Sequence, residues 1–226
     1  MVAGNVTLHP VSRTRAISLG SRVKFSRPVD MNSLLAKIDT NRLREIQKRH
    51  AGSDVRYAKY ADVEHWLAIN LPRVQELKLD VAEPKQILDL GCGAGFFLFL
   101  AKQFGHSCVG LDVGDYPLPN ELIALFGIDR LTWRIRAFEP LPDFGRQFDL
   151  ITAFSAAFNR NGGETRGWTV DEWEFFLNDL DRHLKPGGRT LLEINSGKDQ
   201  RYYPAEVREF FHKSARVDGE RVYFGF

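Results

Sequence analysis

One stretch constrains the fold more than any other: the apolar run Ile87-Leu88-Asp89-Leu90 enters Gly91-Cys92-Gly93-Ala94-Gly95 and continues into Phe96-Phe97-Leu98-Phe99-Leu100. A short apolar run stopped by glycines reads as a buried strand, and the longer apolar segment after them reads as a helix over 95–104. Strand, glycine turn and helix in that order open a βαβ unit. Glycines there permit positive φ and let a ligand approach the backbone, while the helix N-terminus offers free N–H groups. A plain tight turn without a ligand would use the same residues.

The rest of the chain continues the alternation. Short apolar runs predict strands at 86–90, 107–111, 131–135, 148–154, 189–195, 215–218 and 221–226, with helices at 95–104, 119–126, 171–184 and 204–213. Asp218-Gly219 between the last two strands signals a hairpin, which makes them antiparallel. The expected fold is α/β: a doubly wound, seven-stranded, mostly parallel sheet with an antiparallel last strand. Ahead of it, Leu34, Leu35, Ile38, Leu43 and Ile46 predict an amphipathic helix over 31–50. Ala51-Gly52-Ser53-Asp54 ends it, and a second helix follows over 55–79, kinked at Pro72. These helices form a cap over the sheet.

Three segments result: a basic flexible leader at 1–30, a helical cap at 31–83 and a ligand-binding domain at 84–226. The 226 residues carry a net charge of only +2, but residues 1–50 hold ten Lys/Arg against three Asp/Glu, and the remainder 21 against 26. Residues 1–29 contain no acid, and Arg13, Arg15, Arg22, Lys24 and Arg27 stand among four serines. Such a head suits a solvated arm, an organellar transit peptide or an arm that steers an acidic partner. Every apolar stretch falls short of the roughly 18 residues of a membrane span, so no membrane insertion is expected. Cys92 and Cys108 are too few for a disulfide framework and lack zinc-site spacing, so the sequence points to no metal and to a reducing, cytoplasmic compartment. Nothing in the sequence assigns an oligomeric state.

Seventeen residues after Gly95, at the end of the next apolar strand, stands Asp112. A carboxylate there can accept both hydroxyls of a ribose, though an isolated strand-end acid is more often plain surface. A nicotinamide or flavin fingerprint needs glycine where Phe96 stands, and the pattern is D-x-G-x-G-x-G instead. That pattern resembles motif I of the class I S-adenosylmethionine-dependent methyltransferases, in a manner similar to their types 11 and 12. Gly110-Leu111-Asp112 resembles the family's ribose-binding strand end, Phe148-Asp149-Leu150-Ile151 its fourth strand, and Leu184-Lys185-Pro186-Gly187-Gly188-Arg189 the turn before its fifth. The resemblance implies S-adenosylmethionine as cofactor, with Asp89, Gly91, Cys92, Gly93 and Gly95 around its methionine part and Asp112 on its ribose. Ala153, near the end of the fourth strand, would adjoin the cofactor. The family's D-A-x-x-L-P is altered, because Arg136-Ala137-Phe138-Glu139-Pro140-Leu141-Pro142 places Ala137 at the acid position. The backbone around Ala137 and the ring of Phe138 would then hold the adenine, with Glu139 as the nearby acid and ordinary core as the other role of Phe138.

On the acceptor side, the carboxyl ends of the strands select Ala153 to Arg160 and Asn195-Ser196, with Asn159, Arg160 and Asn195 as candidates to orient a substrate. Gly162-Gly163 would let the loop move. Trp168, Trp173, Phe175 and Phe176 fit either an apolar wall or the buried face of a helix. Tyr57, Tyr60 and Trp66 fit core or acceptor contact, Glu193 a base or a paired structural carboxylate, and His183 a helix C-terminal cation. No phosphate loop, nucleophile elbow or zinc helix occurs. Ala153-Phe154-Ser155-Ala156 stands where an N-P-P-Y type motif would mark methylation of nucleic-acid amino groups, which disfavours nucleic acid without excluding it. The reading is methyl transfer to a small-molecule nucleophile by in-line displacement. Its alternatives are an RNA- or protein-directed methyltransferase and a non-catalytic module that binds S-adenosylmethionine.

Overall fold

In the computed structural model, residues 28–52, 58–159, 167–195 and 203–226 are described. Seven strands lie in one sheet in the order β3-β2-β1-β4-β5-β7-β6. They are β1 (Gln86–Leu90), β2 (Ser107–Asp112), β3 (Asp129–Thr132), β4 (Phe148–Ala156), β5 (Leu184–Ile194), β6 (Arg216–Asp218) and β7 (Arg221–Phe224). The first five pair in parallel, whereas β7 runs antiparallel to β5 and to β6. The hairpin expected at Asp218-Gly219 is present, with Gly219 at φ +56°.

The helices are α1 (Met31–Leu35), α2 (Thr40–His50), α3 (Val63–Glu76), α4 (Phe96–Gln103), α5 (Pro117–Phe126), α6 (Val170–Asp181) and α7 (Ala205–His212). The single helix expected over 31–50 is two, because the Asp39 side chain accepts from the N–H groups of Asn41 and Arg42 and so starts a new helix. Likewise Asp62 caps α3, after a 3-10 turn at Lys59–Ala61, and the helix runs on through Pro72. Thr169 and Glu172 form a reciprocal cap that fixes the start of α6.

Alternation along β1 divides the interior in two. Ile87 joins Leu34, Ile46, Leu67 and Val74 of the N-terminal helices, with α4 and α5, in one cluster; Leu88 and Leu90 join α6 and α7 in the other. Helices therefore cover both faces, and α1–α3 extend the layer formed by α4 and α5. Two boundaries differ from expectation. β3 lies at 129–132 rather than 131–135, because Trp133 makes its last bond to the sheet, N–H to Asp112 O at 2.9 Å, before the chain turns away. The Lys-Pro-Gly-Gly turn is absorbed into β5 as a bulge opposite Phe148 and Leu150. A side chain at Gly188 would meet Lys185 O at 2.9 Å and Phe148 O at 3.0 Å, so only glycine fits that bulge.

Candidate functional site

β1 lies between β2 and β4, where the winding of the sheet reverses, and ligands of open α/β sheets bind beyond the strand ends at that point. A cavity of about 1210 Å³ opens there, bounded by the strand ends below and by α3 with its preceding turn above. Its floor is the glycine turn. Gly91, Gly93 and Gly95 all have positive φ, but their surroundings differ. A Cβ on Gly93 would meet nothing within 4 Å, so the turn is open to a ligand there. A Cβ on Gly95 would fall 2.6 Å from Ile123 Cδ1, so that glycine serves the contact between α4 and α5. Gly110 has a comparable role, because a Cβ would lie 2.6 Å from the Cys92 sulfur beneath the turn.

Two carboxylates flank the turn. Asp112 Oδ2 accepts the N–H of Gly93 at 2.5 Å and Oδ1 that of Val113 at 2.6 Å. Burial pushes its carboxyl up, and these N–H bonds oppose the shift. Asp89 is 3% exposed and accepts the Thr152 hydroxyl at 2.7 Å. Burial raises its carboxyl to about 7, with the Thr152 bond and the Arg73 charge acting the other way. A buried acid poised near neutrality, with no cation bonded to it among the described residues, suits a positively charged ligand group.

Of the residues expected at the site, Asp89, Gly91, Cys92, Gly93, Asp112, Ala137 and Asn195 line the cavity. Gly95, Phe138, Ala153 and Asn159 do not. Ala153 is fully buried in the sheet and Asn159 is 2% exposed. Phe138 has φ +58° and directs its ring edge-on toward Phe175 at 5.8 Å, while Ala137 and Glu139 on either side face the cavity. Tyr57, Arg160, Gly162, Gly163 and Ser196 lie outside the described residues. Trp168, Trp173 and Phe176 are core beneath β4 and β5. His183 is buried, which lowers its pKa and favours the neutral ring, so it is not the helix-end cation expected.

Tyr60 and Trp66, for which the sequence allows core or acceptor contact, line the cavity, and so does Arg73, which no motif marks. Trp66 stacks on Phe96 at 6.0 Å and 16°, and Tyr60 lies 4.9 Å from Trp66. Near Asp112, burial and that residue's charge push the Tyr60 hydroxyl up. At the opposite end, Arg73 donates to Asn70 Oδ1 at 3.0 Å, Ser155 Oγ at 3.1 Å and Glu193 Oε1 at 2.5 Å. Glu193 is the paired carboxylate of the two roles expected for it, since Arg221 also donates to it at 3.0 Å. The signal for this cluster was Asn70, a polar residue in the apolar stripe Val63, Leu67, Val74 of α3.

Residues 87–188 match a family model described as a methyltransferase domain. The chain is 29% identical over 122 residues to a tRNA U34 carboxymethyltransferase of Idiomarina loihiensis, covering 51% of this chain and 34% of the relative. It is 25% identical over 173 residues to the tRNA N(3)-methylcytidine methyltransferase trm140 of Schizosaccharomyces pombe, covering 70% of this chain and 53% of the relative. This chain thus spans from about a third to about half the length of these relatives. Among solved structures, Streptomyces venezuelae DesVI shares the fold, with a TM-score of 0.50, 14% identity, and 82% of this chain and 97% of that chain covered.

Proposed function

We propose that the chain is a class I S-adenosylmethionine-dependent methyltransferase that transfers a methyl group from S-adenosylmethionine to a small-molecule nucleophile, a reading supported by the methyltransferase domain matched over residues 87–188. The observation that carries this reading is the open backbone at Gly93 between two carboxylates, Asp112 and Asp89, at the reversal point of the sheet. Asp112, steadied by two N–H groups, accepts the ribose hydroxyls. Asp89 receives the ammonium of the amino-acid end, and the backbone around Ala137 meets the base. The bound cofactor supplies an activated methyl group on a sulfonium.

The chain's own contribution is alignment and exclusion of water. Tyr60, Trp66 and Phe96 roof the ribose end, and Phe154, Ser155 and Asn195 border the acceptor end. Holding a nucleophile in line is worth on the order of 7–11 kcal/mol of barrier, so a site without a dedicated acid or base is sufficient for acceptors that are nucleophilic as bound.

A small acceptor is favoured by the charge balance of the cavity. Arg73, Arg134 and Arg136 are each paired with an acid, Glu193, Asp115 and Glu139 respectively. Nucleic-acid binding draws on cations that neutralise phosphates. Among the described lining residues, Lys59 is the one cation without an acidic partner, and its ammonium lies over Tyr60 and Trp66 at 5.3 Å from each ring. A second reading, an RNA nucleoside as acceptor, is supported by the names of the two tRNA-modifying relatives. Incubation with methyl-labelled S-adenosylmethionine and either a low-molecular-mass metabolite fraction or total tRNA separates the two. Label in the metabolite fraction is expected. Label in tRNA alone would replace the first reading by the second, and label in neither despite cofactor binding would favour a non-catalytic module.

A further inference from the structure

We propose that the acceptor is a small carboxylic acid with an apolar body, its carboxylate received by Lys59, an inference that rests on the proposed function above. Four cations line the cavity among the described residues: Lys59, Arg73, Arg134 and Arg136. Arg73 is tied to β4 and β5 through Ser155 and Glu193, at the end away from Asp112. The other three stand on the Asp112 side. Lys59 precedes Tyr60, whose hydroxyl feels the Asp112 charge, while Arg134 and Arg136 follow β3, the strand that pairs with β2. There an adenosyl ligand presents ribose hydroxyls and a base, all uncharged, so the cofactor brings no anion for these cations. Acids beside them take up two of the three charges, since Asp115 pairs with Arg134 and Glu139 with Arg136. Asp112 itself is met by Arg130 and by two N–H groups. Among the described residues one positive charge, that of Lys59, is left over, which suits a single carboxylate and not a run of phosphates.

The ammonium is placed before a ligand arrives. The Lys59 carbonyl accepts the Trp66 indole N–H at 2.8 Å, and Gln47 of α2 donates to Ala61 O at 2.8 Å, so the 3-10 turn is held at both ends. Lys59 Nζ lies 5.3 Å from the ring centres of both Tyr60 and Trp66. Ring faces attract an ammonium but offer it no oxygen, so its N–H groups remain for a carboxylate. The rim of the same cavity supplies partners for the apolar body. Ile69 and Trp133 line it and are 38% and 39% exposed, and a ligand that covers them removes apolar surface from water. Two aromatic rings under a cation, with two exposed apolar side chains on the same rim, match a carboxylate joined to a flat apolar body. Lys59 lies outside the segment matched by the methyltransferase domain, in keeping with a residue that selects the acceptor and not the cofactor.

Ligand-detected NMR titrations of the full chain, saturated with S-adenosylhomocysteine, compare benzoate, its uncharged analogue benzamide and phenyl phosphate. Benzoate is expected to bind about 5- to 20-fold more tightly than benzamide, and more tightly than phenyl phosphate. Lys59→Met is expected to remove the preference over benzamide while benzamide itself binds within about twofold of wild type, which also shows that the variant is folded. Lys59→Arg is expected to retain the preference through its charge. A wild-type protein without a benzoate preference, or a wild-type ratio in Lys59→Met, would overturn the assignment and leave Lys59 as a solvated cation over the aromatic roof. Tighter binding of phenyl phosphate than of benzoate would overturn the carboxylate and point to a phosphorylated acceptor. A protein that does not bind S-adenosylhomocysteine at all would instead overturn the cofactor reading, and this inference with it.

Discussion

Alanine at Gly95 is expected to cost stability while leaving the cofactor site intact, although motif resemblance places this glycine among the cofactor ligands. Its backbone is left-handed, φ +78° and ψ 17°, at the N-cap of α4, which costs a residue with a Cβ roughly 1–2 kcal/mol. The new Cβ would lie 2.6 Å from Ile123 Cδ1 and 3.5 Å from Ile128 Cγ1. Cδ1 is the free end of its side chain and can rotate, but Ile123 is 6% exposed, so relief inside that contact costs about 1 kcal/mol, near the low end for overpacking. The sum is roughly 2–3 kcal/mol, or a fall of about 4–12 °C in Tm for a chain of this size. Gly93→Ala is the contrasting variant. Its Cβ meets no protein atom within 4 Å and would project into the open space over the turn, so affinity for S-adenosylhomocysteine should fall tenfold or more, by about 1.4 kcal/mol, with a smaller loss of Tm. Thermal unfolding and calorimetry on both variants check the pair. A Gly95→Ala protein with unchanged Tm and lost cofactor binding would refute the division of labour between the two glycines.

Three further outcomes follow from the same geometry. Asp112→Asn puts an N–H donor where Gly93 or Val113 already donates and removes the charged acceptor, so S-adenosylhomocysteine should bind more weakly by roughly 2–3 kcal/mol; unchanged affinity by calorimetry would remove Asp112 from the site. Asp89 has its folded pKa raised from 3.8 to about 7, so the folded state holds a proton that the unfolded chain releases, and its contribution to stability is present below about pH 4 and lost as pH rises to about 7. Asp89→Asn should therefore gain on wild type by up to roughly 4 kcal/mol across that window in ligand-free denaturant titrations, and parallel pH curves would contradict the assignment. Burial pushes the Cys108 thiol up to about 12 and the Cys92 thiol well above its ordinary value, so a thiol reagent at pH 8 should label both residues only after unfolding. Rapid labelling of the native protein would show that the glycine turn opens.

Local pattern made much of this molecule legible. The strand, glycine turn and helix at 86–103 and the Asp218-Gly219 hairpin rest on periodicity and turn chemistry within a few residues, and both stand where those rules put them. Side-chain capping went unread at Asp39, which divides the expected helix over 31–50, and bulging went unread at Lys185–Gly188, where pairing with β4 overrides the turn tendency of Pro-Gly-Gly. Within the site, motif position was informative for Asp89 and Asp112 because strand ends fix where they point. It was not for Phe138, whose positive φ turns its ring outward, nor for Ala153, whose alternation along β4 buries it. Arg73 lay beyond reach of such reading. Its surroundings come from residues 82 and 120 positions away, and only a buried asparagine in an apolar stripe hinted at them.

On the proposed function, the turn between Asp89 and Asp112 is built for an S-adenosyl ligand. Calorimetric titration of the full chain with S-adenosylmethionine, S-adenosylhomocysteine and NAD is the decisive measurement. Saturable binding of both sulfur ligands with none of NAD is the result expected, because Phe96 occupies the place of the third glycine that a dinucleotide fingerprint needs. Binding of NAD, or of none of the three, would contradict it.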